Sequence, residues 1–135
     1  MVSKTIYLTA SLLAIFGVIA IGASAENSVF AQGDKVQASI VPGASTLTDT
    51  AYSPNPIEIT VGQTVVWTND DTAFHTVTSG SIGAPDAGQL FDSGLAGPTA
   101  LTGQGKTFEH TFDAAGEYPY FCTLHPAMVG TVIVS

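Results

Sequence analysis

Over most of the chain, apolar and polar residues alternate in short runs that are cut by turn residues. Ile57, Ile59 and Val61 interleave with Glu58 and Thr60, the period of two expected where one strand face is buried and the other wetted. Gly62-Gln63 turns the chain into 64–68, where Val65 and Trp67 share a face. Asn69-Asp70-Asp71 breaks that run, and 74–78 begins another. The stretches 35–41, 106–112, 116–122 and 129–134 complete the set, the first ended by Pro42-Gly43. No convincing 3.6-residue period follows residue 34. Between 79 and 105 the composition shifts to Gly, Pro, Ser and Ala, with Leu90, Phe91 and Leu95 as the main apolar anchors. That segment reads as a long connection crossing between sheets. About seven or eight short strands rich in Val, Ile, Thr, Tyr and Phe predict an all-β fold, an antiparallel Greek-key β-sandwich or barrel.

The N-terminus follows a different pattern. Lys4 precedes an apolar run over 6–21, and Ala23-Ser24-Ala25 stands just before Glu26. Charge, apolar stretch and small residues in that order predict a signal peptide over 1–25. The same stretch also suffices to cross a bilayer, which takes about 20 residues, so an uncleaved anchor is the alternative. Residues 26–34 then read as a polar tether and 35–135 as the folded domain. Either way the domain faces outward, in the periplasm or on the outer face of the cell membrane, and it meets a membrane only if the leader is retained.

Charge narrows the partners. Eleven acidic residues stand against three lysines, a formal net charge of −8. Such a chain has no basic patch to displace counterions, so nucleic acid is excluded as a partner. An acidic surface suits docking of a basic protein partner. The single cysteine, Cys122, rules out an intramolecular disulfide framework. In an exported chain an unpaired thiol calls for metal ligation or deep burial.

The candidate chemistry lies in Cys122-Thr123-Leu124-His125-Pro126-Ala127-Met128, with His75 on a separate segment. Taken singly, a cysteine, a methionine or a histidine is most often core material. Together, a thiolate, two imidazoles and a thioether form the His₂Cys set with a weak axial Met that holds copper for electron transfer. Cys122 ends one strand run, Pro126 stiffens the loop, and 129–134 returns directly to strand, so the loop is clamped at both ends. His110 falls between Phe108 and Phe112 with no ligand neighbour in sequence and reads as structural.

These residues carry a family resemblance. Gly116-Glu117-Tyr118-Pro119-Tyr120-Phe121-Cys122, the short Cys122-x₂-His125-x₂-Met128 loop, and Asn69-Asp70-Asp71 leading to His75-Thr76-Val77 resemble the cupredoxins, the small blue type 1 copper proteins, and especially their plastocyanin and amicyanin branch. The loop spacing is similar to amicyanin's. The resemblance covers about Lys35 to Val134. It implies one copper ion held by His75, Cys122 and His125 in the equatorial plane and Met128 axially, in a monomer that carries single electrons between protein partners and is not an enzyme. It also implies that His125 is the electron port and that Pro126 and Ala127 belong to an apolar docking patch. One position departs from the family pattern: Thr76 stands where plastocyanin-like proteins commonly have an Asn that ties down the cysteine-bearing loop.

Other readings fit less of the sequence. A Cys122–histidine nucleophile pair lacks an oxyanion-forming motif and leaves Met128 unexplained. Multicopper oxidase or reductase chemistry needs further copper sites that three histidines cannot furnish beside this one. Copper storage would use the same soft donors, but a closed four-donor site releases metal slowly. An adhesive β-domain without metal does not account for the loop.

Overall fold

The structure is a computed structural model and describes residues 34–135; the expected leader over 1–25, and the tether up to residue 33, lie outside the described residues. Among the described residues there are eight strands in two four-stranded sheets: β1 (Lys35–Ile40), β2 (Tyr52–Ser53), β3 (Ile57–Ile59), β4 (Thr64–Asn69), β5 (Thr78–Ser79), β6 (Thr107–Thr111), β7 (Gly116–Phe121) and β8 (Val129–Val134). One sheet runs β2-β1-β4-β6 and the other β3-β8-β7-β5. A single 3-10 turn, Ala44–Thr46, is the only helical element among them.

The sheets are mixed rather than wholly antiparallel, which corrects one expectation. β1 runs parallel to β4, with Ala38 opposite Trp67, and β3 runs parallel to β8, with Ile57 opposite Val132. The remaining pairs are antiparallel. Parallel neighbours need crossover connections, and here each partner lies in a different part of the chain.

Alternation decides which faces meet. Ala38, Ile40, Val65, Trp67 and Phe108 from one sheet, and Ile57, Ile59, Tyr120, Val132 and Val134 from the other, form one buried cluster. Trp67 is at its centre, stacked on Phe91 and Phe108 and meeting Tyr120 edge-on. Fully burying a large apolar side chain stabilises by about 1.5–3 kcal/mol, so the aromatic layer anchors the sandwich together with the aliphatic residues around it. Tyr120 closes against Gly130 across the β7–β8 pair, where a Cβ would come within 2.5 Å of its ring.

The 79–105 connection behaves only partly as its composition predicts. Phe91 is 5% exposed and packs into the core, but Leu90 and Leu95 are 64% and 59% exposed. Phe91 and the wholly buried Leu101 seat the connection in the core, and its backbone is pinned as well. Ser79 N–H bonds to the Phe91 carbonyl and Ser93 N–H to the Val77 carbonyl, and the Ser79 hydroxyl accepts from the Leu90 and Phe91 N–H groups.

The expected strand over 74–78 shrinks to Thr78–Ser79, with His75 making only an isolated bridge to Leu101. Thr76 N–H is aimed at the Cys122 sulfur at 3.3 Å and Val77 N–H at the Ser93 hydroxyl at 3.0 Å. Backbone donors committed to side chains cannot also build a ladder.

Candidate metal centre

Two chain segments meet at one end of the sandwich. The first leaves β4 at Asn69, whose side-chain amide donates to the carbonyls of Ala73 and Leu101 and whose Oδ1 accepts Asp71 N–H. Asn69 thereby holds the 70–75 turn in shape, and His75 N–H bonds to the Leu101 carbonyl. The second leaves β7 at Phe121 and re-enters β8 at Val129. Cys122 N–H bonds to the Met128 carbonyl at 3.2 Å and Met128 N–H to the His125 carbonyl at 2.9 Å, folding the loop back on itself.

The result is a cluster of donors. The ligand-type atoms of His75, Cys122 and His125 all lie within 4.8 Å of one another. Cys122 Sγ is 3.9 Å from His75 Nδ1 and 3.7 Å from His125 Nδ1. Bonds of about 2.0 Å to nitrogen and about 2.3 Å to sulfur, the lengths seen with a zinc ion of comparable size, separate the two donors by roughly 3.7 Å at trigonal angles. The spacing therefore fits one ion held by all three donors. Cys122 and Met128 are wholly buried, His75 nearly so, and His125 is half-buried. Met128 is joined to Cys122 by the backbone bond between them and is itself wholly buried.

The surroundings favour the thiolate at Cys122. Burial pushes the Cys122 thiol up, but hydrogen bonds from His75, Thr76 N–H and His125 together outweigh it and bring it down to about 6. A thiolate is the form that binds metal. Burial also works against a charged His75, yet its bonds to Cys122 and Asp71 raise it above the ordinary 6.5. His75 Nε2 faces Asp71 Oδ2 at 2.7 Å. Because a carboxylate only accepts, Nε2 keeps its proton, and the proton that Nδ1 shares with Cys122 Sγ is the one a metal would displace. Asp71 is held down to about 2, mainly by this bond to His75, with the N–H groups of Gly43 and Thr72 adding to it against the effect of burial.

Thr76 does tie down the cysteine loop. Its Oγ1 accepts Thr123 N–H at 2.9 Å and lies 3.3 Å from the Thr123 hydroxyl. Its own N–H points at Sγ, and its carbonyl accepts from the Tyr52 hydroxyl at 2.7 Å. A threonine suffices here because the 76 and 123 segments run side by side just beyond the Thr78–Phe121 pair.

His75, Cys122 and His125 thus gather at one pole with Met128 at the end of the same loop, while His110 lies elsewhere, half-buried on β6 against Phe91 and Phe112. Sequence reasoning overlooked Asp71 and Tyr52. Asp71 sits four residues before His75 in the Asn69-Asp70-Asp71 run, which marks a strand break and part of the family resemblance but does not by itself give Asp71 a partner. Nothing in the sequence pointed Tyr52 toward Thr76.

Comparison with known proteins agrees with this geometry. Residues 39–135 match the model of copper binding proteins of the plastocyanin/azurin family. The chain is similar to amicyanin of Paracoccus versutus, 31% identical over 98% of this chain and 97% of that protein. It is likewise similar to amicyanin of Paracoccus denitrificans, 33% identical over 94% and 92%. Among solved structures it resembles a purple cupredoxin from Nitrosopumilus maritimus, 40% identical with a TM-score of 0.62, covering 74% of this chain and 99% of that one. With a fold of two β-sheets, a donor cluster that fits a single type 1 copper site, and these matches, the chain belongs to the plastocyanin/azurin family of copper-binding proteins.

Proposed function

We propose that this protein carries single electrons between redox partner proteins outside the cytoplasm, by way of a copper ion that would be held by His75, Cys122, His125 and Met128. The observation that carries this reading is the convergence of a buried thiolate and two imidazole nitrogens within 4.8 Å of one another, beside a buried Met128. Bound there, copper supplies one reversible electron step between Cu(II) and Cu(I). The residues' own contribution is to stay where they are. Their donor set lies between the tetragonal N,O surroundings that suit Cu(II) and the softer donors that suit Cu(I). Asp71, Thr76 and the backbone bonds of the loop hold that set in place, so little has to move when the charge changes.

His125 is the least buried of the four and serves as the electron port. Pro126 and Ala127 beside it are exposed, and Leu124 is 42% exposed, which supplies an apolar patch for docking. The acidic surface steers a basic partner, with an association rate that falls as salt rises. On this reading the protein works as a monomer and is not an enzyme. Residues 1–25 export it, as a cleaved leader or a retained anchor, and 35–135 form the copper domain.

The test is to add Cu(II) to the purified protein and record the intense visible thiolate-to-copper band. The band appears, is abolished in Cys122→Ser, and survives in Met128→Gln with a changed reduction potential. Colourless wild-type protein with a freely alkylated Cys122 overturns the copper reading. Copper that binds but does not cycle reversibly between its two oxidation states overturns electron transfer.

A further inference from the structure

Beyond the donors and their direct neighbours, one line of hydrogen bonds leads from the cysteine loop to the protein surface. Thr123 N–H is 2.9 Å from Thr76 Oγ1, Thr76 Oγ1 is 2.9 Å from Thr78 Oγ1, and Thr78 Oγ1 is 3.0 Å from Asp92 Oδ1. Thr76 and Thr78 are buried, and Asp92 is exposed at the far end.

Each hydroxyl has one proton, so the order of donors along the line follows from its ends. The Asp92 carboxylate has no proton to give, so Thr78 donates to it. Thr78 oxygen is then left to accept, and Thr76 donates its proton to Thr78. Toward Thr123, Thr76 Oγ1 is then left only to accept, taking Thr123 N–H and the Thr123 hydroxyl, 3.3 Å away. Without an acceptor at the Asp92 end, Thr78 can donate to Thr76 instead. The Thr76 proton then turns toward the Thr123 side and competes with Thr123 N–H for the same space. A charged acceptor at the end of such a line also strengthens its members.

Resting on the copper reading above, we propose that Asp92, acting through Thr78, is a positioning residue for the centre: it sets the direction of the hydroxyl line so that Thr76 receives Thr123 N–H and locks the residue next to Cys122. This assigns a role at the metal centre to the connection between β5 and β6. Asp92 is well placed for it, because Gly94 N–H also bonds to its Oδ1 at 2.9 Å and fixes the carboxylate.

The test compares the full-length wild type with Thr78→Val, Thr78→Ser and Asp92→Ala. The first readout is hydrogen exchange of the Thr123 amide in metal-free protein. Thr78→Val and Asp92→Ala exchange about five- to tenfold faster there, the loss of roughly one net hydrogen bond, and Thr78→Ser returns to the wild-type rate. The second readout, on copper-loaded protein, is a shifted thiolate-to-copper band in the first two variants and an unshifted one in Thr78→Ser. Wild-type exchange in both Thr78→Val and Asp92→Ala overturns the proposal, and acceleration in Thr78→Val alone removes Asp92 from it. Acceleration that Thr78→Ser fails to reverse also overturns it, since packing rather than the hydroxyl is then responsible. Colourless wild-type protein would instead defeat the copper reading, an outcome distinct from any change at the Thr123 amide.

Discussion

Asp71 Oδ2 lies 2.7 Å from Nε2 of His75, with the His75 side chain wholly buried and Asp71 almost so. The other carboxylate oxygen accepts N–H groups from Gly43 and Thr72, so the acid is braced from the β1–β2 connection as well as from its own turn. Its orientation therefore fixes the plane of the imidazole and leaves Nδ1 toward Cys122. Groups that orient a metal-ligating histidine in this way are worth a great deal to the site although they never touch the ion.

Replacing Asp71 by Ala is expected to weaken copper retention by about 10–100-fold. Competition with a chelator measures it, and thermal unfolding of the metal-free variant reports the separate loss of the turn. Retention equal to wild type would show that the imidazole is oriented by packing alone.

Thr76→Val keeps the backbone N–H that faces Sγ but removes the acceptor for Thr123 and the partner of Thr78. The cost is expected at about 1–3 kcal/mol, since polar groups lose partners inside the fold. Urea unfolding of metal-free protein gives the value directly. Thr76→Ser, which keeps the oxygen, is expected to lose much less.

Gly130→Ala would bring a methyl group to 2.5 Å from the Tyr120 ring. That ring cannot swing aside freely, because Tyr52 and Trp67 pack against it with centroids 4.7 and 5.4 Å away. Overpacking of this kind costs about 1–3 kcal/mol, and a lowered unfolding midpoint with an unchanged denaturant slope would record it. An unchanged midpoint would mean that the aromatic layer yields.

His110 gives the fold a pH dependence of known sign. Burial lowers its pKa below the ordinary 6.5, with Asp113 opposing only in part. The unfolded chain then binds the proton more readily than the native state, so its contribution is intact above 6.5 and lost as pH falls through that value toward the lower native one. His110→Gln should flatten this part of the stability profile. Denaturant midpoints of metal-free protein across pH 5–8, the range in which histidine ordinarily titrates, compare the two, and parallel curves would refute the assignment.

Much of the fold was legible because β-strands write their burial into alternate residues. Ile57 and Ile59 face inward and Glu58 outward, as their order indicates. The clamped loop from Cys122 to Met128 was equally readable, since its donors are neighbours along the chain and of types that share one chemistry. Strand direction was not readable: a strand looks the same to its residues whether its partner runs with it or against it, and β1 and β3 have parallel partners. Leu90 and Leu95 were misjudged because hydrophobicity says that a residue gains by burial, not that the surface has room for it.

What the sequence determined alone was the alternation that makes a two-sheet sandwich and the choice of the four proposed donors, because these depend on residue type and short-range spacing. Tertiary structure alone decided that Asp71 orients His75, that Thr76 can stand in for a longer side chain, and that Asp92 reaches the cysteine loop through Thr78. Those relations join segments separated by up to 47 positions, and hydrogen bonds are decided by ångströms in space, which no local pattern records.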